Sequence, residues 1–75
     1  MNMENHGKVI ITLEEYRLRK NISKNKIVEN ANVQRTQLQN YLHNRVARVD
    51  LDVLARICNY LNCDISDILK YEKGE

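Results

Sequence analysis

Apolar residues recur along this chain at intervals of three and four, and each run of them stops at an asparagine. Leu13 and Tyr16 open the series, with Asn21 closing it; Ile27 and Val28 follow, closed by Asn32. Leu38, Tyr41 and Leu42 come next, closed by Asn44, and then Leu51, Leu54, Ile57, Cys58 and Leu61, closed by Asn62. A last group, Ile65, Ile68 and Leu69, ends the pattern, which predicts five short helices over residues 12–71. Helix starts carry matching signals. Thr12 with Glu15 has the spacing of a capping box, Ser23 and Asp50 are good N-caps, and Asp64 with Asp67 caps the fifth segment. Val9-Ile10-Ile11 precedes the helical pattern and is β-branched throughout. It fits a short strand, paired for instance with a second copy of the chain, or an extended arm laid over the core; the pattern leaves both open.

The turns between these segments have no glycine or proline to use. Proline is absent and the two glycines, Gly7 and Gly74, lie near the ends. Ten asparagines are present, and asparagine tolerates the left-handed backbone better than other residues with a side chain. Asn21, Asn32, Asn44 and Asn62 are therefore the expected turn residues.

At 75 residues the chain has room for one small core, so multidomain enzymes and large α/β folds are excluded. Its longest apolar run is far shorter than a bilayer span, and the polar start from Met1 to Gly7 does not resemble a signal peptide. A soluble, cytoplasmic protein is expected. Cys58 and Cys63 are too few for a disulfide framework or a four-ligand zinc site, and they read as packing residues in a reducing compartment. Neither serine, Ser23 or Ser66, has a nucleophile–base setting, and no phosphate loop or paired-histidine motif occurs. The expectation is no catalysis, no cofactor, no metal and no small-molecule ligand.

Charge is distributed unevenly. Residues 23–48 carry Lys24, Lys26, Arg35, Arg45 and Arg48 against Glu29 alone, whereas residues 49–75 carry six acids against three bases. A basic middle beside an acidic last third suits a polyanion-binding face with a separate outward face.

Within that basic middle, residues 24–43 form one unit. Ile27, Ala31, Val33, Leu38 and Tyr41 stand where two short helices meeting at a steep angle must touch, and Asn32 stands at the turn. Any helical hairpin would need such a pattern. It would not need the outward residues of the second helix to be Gln34, Arg35, Thr36, Gln39 and Asn40. Arginine suits guanine, glutamine and asparagine suit adenine, and a threonine methyl can touch thymine. A face selected only for solvation would draw on glutamate and lysine, and this helix holds no acid.

With Ile22-Ser23-Lys24, Ile27-Val28, Ala31-Asn32-Val33, Leu38, Tyr41, the run from Val49 to Cys63 and the ending Asp67-Ile68-Leu69 with Tyr71 and Glu72, the sequence resembles the phage repressor and Cro-type (XRE) helix-turn-helix regulators. The resemblance spans residues 12–72 and implies an all-α, compact five-helix, lambda-repressor-like domain whose third helix, about residues 34–43, enters the major groove. Residues 1–11 would form an arm, with the short strand as its alternative, and 73–75 a tail. Gln34, Arg35, Thr36, Gln39 and Asn40 match the positions that face bases, while Lys24, Gln37, Asn44, Arg45 and Arg48 match contacts to phosphate. Double-stranded DNA and a second copy of the chain are the implied partners, with Tyr60, Val49, Ile65, Tyr71 and the arm as candidate dimer surfaces. The sequence departs from the family pattern at three places. Val28 replaces a usual alanine and spaces the two helices slightly. Asn32 replaces a usual glycine. Leu42 replaces an acid, which leaves Arg17 free for phosphate or solvent. A second reading stays open at this level: a protein-interaction or antitoxin-type module of the same family, gripping another protein through its acidic face or its arm.

Overall fold

The computed structural model describes residues 6–74. Strand β1 (Lys8–Ile11) leads into helices α1 (Leu13–Arg19), α2 (Lys24–Ala31), α3 (Arg35–Leu42) and α4 (Leu51–Leu61). A 3-10 turn, Ile65–Asp67, connects to strand β2 (Leu69–Glu72), which closes the fold by pairing antiparallel with β1. The register sets Lys8 opposite Glu72, Val9 opposite Tyr71, Ile10 opposite Lys70 and Ile11 opposite Leu69.

Each helix ends in the same way. Among the described residues, Asn21, Asn32, Asn44 and Asn62 are the non-glycine residues with positive φ, between 52° and 61°. The residue after each sends its N–H back to a carbonyl five positions earlier: Ile22 to Arg17, Val33 to Val28, Arg45 to Asn40 and Cys63 to Cys58, at 2.8–3.3 Å. This is the Schellman closure, and asparagine fills the place that glycine usually takes. Starts are equally local. The Ser23 hydroxyl accepts the Lys26 N–H, and the Asp50 carboxylate accepts those of Asp52 and Val53.

One core results. Leu13 and Tyr16 from α1, Ile27 and Ala31 from α2, Leu38, Tyr41 and Leu42 from α3, and Val53, Leu54 and Ile57 from α4 are all buried, joined by Ile11, Val33 and Ile68. Leu51 departs from the expected stripe. It is 78% exposed, because α4 turns Val53, Leu54 and Ile57 inward and its first residue falls outside that arc.

The structure corrects the five-helix expectation: among the described residues, four α-helices, a 3-10 turn and a two-stranded sheet stand in its place. Asp64 and Asp67 do cap the 3-10 turn, the Asp67 carboxylate accepting the Asp64 N–H at 2.9 Å. Helix stops there because Leu69-Lys70-Tyr71-Glu72 alternates apolar and polar, and the Val9-Ile10-Ile11 strand lies beside it. Val9-Ile10-Ile11 is thus a strand, and its partner is the same chain. Thr12 does not cap α1; its hydroxyl donates instead to the Asp67 carbonyl at 3.3 Å, bracing the base of the sheet. Nor is Arg17 free. It pairs with Glu14 one turn earlier, donates to the Ile22 carbonyl at 3.3 Å, and keeps only 12% of its side chain exposed.

Cys58 and Cys63 are free thiols packed against the edge of the core. Burial, with the Cys58 thiol beside it and Asp67 and Asp64 nearby, pushes the Cys63 pKa up to about 11. At pH 8 Cys63 should therefore be alkylated by iodoacetamide about a hundredfold more slowly than an unhindered thiol, as read by mass spectrometry of the labelled peptide. The raised value favours the neutral thiol in the fold. Its contribution to stability is complete below the ordinary thiol range and fades as pH rises towards 11.

Candidate nucleic-acid interface

Helices α2 and α3 meet across the turn Asn32-Val33-Gln34, with Ile27, Ala31, Val33 and Leu38 buried at the joint. Burying Leu38, Tyr41 and Leu42 fixes the rotation of α3. Its opposite side then carries Arg35 and Thr36, both exposed, with Gln39 and Asn40 one turn on and half-buried. Gln34 precedes the helix as an exposed N-cap residue whose side chain makes no cap hydrogen bond. The five expected base-facing residues thus lie at the start and on one side of a single helix.

Two of them are held from the flanks. Lys24, first residue of α2, donates from Nζ to Gln39 Oε1 at 3.4 Å. Arg45, just past α3, donates from Nε to Asn40 Oδ1 at 3.3 Å. Each contact fixes a carboxamide by its oxygen and leaves its NH2 group to donate outward. Gln37 is turned to the side of α3, where its amide donates to the Tyr41 hydroxyl at 3.4 Å. That side borders an open trough of about 910 Å3, whose walls include Gln34, Thr36, Asn40, Arg48 and Arg56. Arg48 is exposed on the loop before α4.

Asn44, expected to contact phosphate, also holds the first strand. Its Oδ1 accepts the Ile11 N–H at 2.7 Å and its Nδ2 donates to the Ile11 carbonyl at 2.9 Å. The amide thereby grips the outer edge of β1, while Asn44 as a whole stays exposed beside Arg45.

Two residues brace this surface through contacts that the sequence pattern did not signal. Arg56 of α4 donates from Nε to the Ala31 carbonyl at 2.9 Å and from a terminal nitrogen to the Asn32 carbonyl at 3.2 Å, while also pairing with Asp52. It therefore closes the end of α2 and pins the turn to α4. The buried Tyr41 hydroxyl accepts the Asp50 N–H at 2.8 Å, tying the start of α4 to α3. The four-residue spacing of Asp52 and Arg56 was a readable ion-pair signal; the reach of Arg56 to the turn was not.

A family model described as the Cro/C1-type HTH DNA-binding domain matches residues 12–74, nearly the whole chain. The chain belongs to the Cro/C1-type helix-turn-helix family. This Cro/C1-type domain also superposes on the crystal structure of the transcriptional regulator VanUg, with a TM-score of 0.72 and 25% identity over 97% of each chain. No curated protein matches it. Among the described residues no group of three or more His, Cys, Asp or Glu could hold a metal ion, and no helix is long and apolar enough to cross a membrane.

Proposed function

We propose that this Cro/C1-type domain is an operator-binding transcription regulator, of repressor type, that works as a homodimer. Helix α3 lies in the major groove, where Gln34, Arg35, Thr36, Gln39 and Asn40 read bases. Lys24, Gln37, Arg45 and Arg48 hold the flanking phosphates, and Asn44 joins them through its main chain. One observation carries this reading. The exposed side of α3 holds no carboxylate, and the lysine and arginines around it flank the row on both sides. Repression follows from occupancy, since a bound domain excludes other proteins from the same stretch of duplex. Two copies reading half-sites about 34 Å apart would supply the affinity that one short helix lacks.

Selection of bound sequences from a random duplex pool, followed by affinity measurements against salt, tests the proposal. Log affinity should fall linearly with log salt, by about 0.9 for each phosphate neutralised. Arg35→Ala should weaken the selected site by about 1–3 kcal/mol and relax the preference at one base pair. Lys24→Ala should instead weaken all sequences alike and make the salt slope shallower by about one. A protein that retains its helical signal yet enriches no sequence and shows no salt dependence would overturn the proposal, in favour of a module whose partner is another protein.

A further inference from the structure

A two-stranded sheet has two outer edges, and in this protein they differ. The Thr12 N–H donates to the Ile68 carbonyl at 2.8 Å, which with the register makes Ile10–Lys70 and Lys8–Glu72 the hydrogen-bonded pairs. The main-chain groups of Val9, Ile11, Leu69 and Tyr71 therefore point outward, away from the partner strand. On β1 the outward groups of Ile11 are taken by Asn44. On β2, among the described residues, the Tyr71 N–H and carbonyl have no hydrogen-bond partner. The Tyr71 side chain is 60% exposed and lies against Gly7, whose N–H donates to its hydroxyl at 3.2 Å. Only glycine fits at that position, since a Cβ there would sit 1.9 Å from the Glu72 carbonyl oxygen.

We propose that β2 pairs antiparallel with β2 of a second copy about a two-fold axis at Tyr71, joining two sheets into one of four strands. This inference deepens the homodimer reading above and rests on it. Tyr71 exchanges both main-chain hydrogen bonds with Tyr71 of the second copy, as its outward groups require. The same register sets Lys70 opposite Glu72 of the second copy, and Glu72 opposite its Lys70. Opposite charges meet twice, and Glu72 comes to lie between Lys8 of its own chain and the second copy's Lys70. On the other face the two Tyr71 rings adjoin, beside Val9, which is 64% exposed. The β1 edge offers no equivalent. A two-fold axis at Val9 would set Lys8 against Ile10 without charge matching, and Asn44 already blocks Ile11. An unpaired edge is a template for association, and four strands are far more stable than an isolated pair. The contact is isologous, so it closes at two copies.

Sedimentation equilibrium on the full chain and its variants tests the pairing. Tyr71→Pro removes an N–H that the chain's own ladder does not use, so it should keep the helical signal and dimerise at least about tenfold more weakly. Lys70→Glu, which leaves every main-chain group intact, should also weaken the dimer by about tenfold, by facing Glu72 with a like charge. The double variant Lys70→Glu with Glu72→Lys should restore association. A wild-type chain that stays monomeric at millimolar concentration, or Lys70→Glu and Tyr71→Pro dimers as tight as wild type, would overturn the pairing. Duplexes carrying one or two copies of the selected half-site separate this from the functional reading. Tyr71→Pro should bind one half-site like wild type and lose cooperativity on two. A wild-type dimer that binds neither duplex sinks the DNA reading and leaves the strand pairing standing.

Discussion

Leu38→Ala is expected to destabilise the domain by about 2–5 kcal/mol, the range for removing a buried leucine and leaving a cavity. Leu38 is 1% exposed and lies where α2, α3 and the rest of the core meet, so little can collapse into the space. A domain of this size has only about 5–15 kcal/mol to lose. Urea denaturation should show a lower midpoint, with a large part of the population unfolded at 37 °C. DNA binding should fall in step with the folded fraction, because α3 keeps its outward side chains but loses the packing that fixes its rotation. A variant with an unchanged midpoint would mean that Leu38 does not key the bihelical corner, and the orientation argued for the reading face would go with it.

Asn44→Ala is expected to cost about 2–5 kcal/mol, from two separable causes. Both hydrogen bonds to Ile11 are lost, at about 0.5–1.5 kcal/mol each. A left-handed residue with φ of 57° must also be accommodated without asparagine's local help, about 1–2 kcal/mol more. Asn44→Gly removes the bonds alone and should recover the backbone part. Hydrogen exchange at the Ile11 amide should accelerate in both variants. If Asn44→Ala leaves that amide protected and the denaturation midpoint unmoved, the amide does not hold β1.

Much of this fold was legible because its instructions are local. The turn asparagines, the Ser23 and Asp50 caps and the burial of Leu38, Tyr41 and Leu42 each depend on residues within a turn or two of one another. The outward row on α3 was legible for the same reason, since one helical period separates what is buried from what is offered. What escaped the sequence depends on distance. Leu69 and Tyr71 share three- and four-residue spacings with Ile65 and Ile68, and only the presence of Val9 and Ile11, some sixty residues earlier, makes them a strand. Asn44 was recognised as a turn, while its grip on Ile11 spans 33 residues. Arg56 reaches 25 positions back to Ala31. The pairing of Arg17 with Glu14 is local, but the leucine at position 42 pointed away from it.

The sheet also dictates an order of assembly. Its strands close nearly the whole polypeptide into a single loop, whereas every helix and Schellman closure forms between neighbours. Closing so long a loop is entropically slow, and the closure is rewarded only once the core gives β1 and β2 a surface to rest on. The helical body therefore condenses first and the ribbon zips last. It is accordingly the first part to open again, so in a half-made chain the helix-turn-helix corner can stand before its ribbon exists.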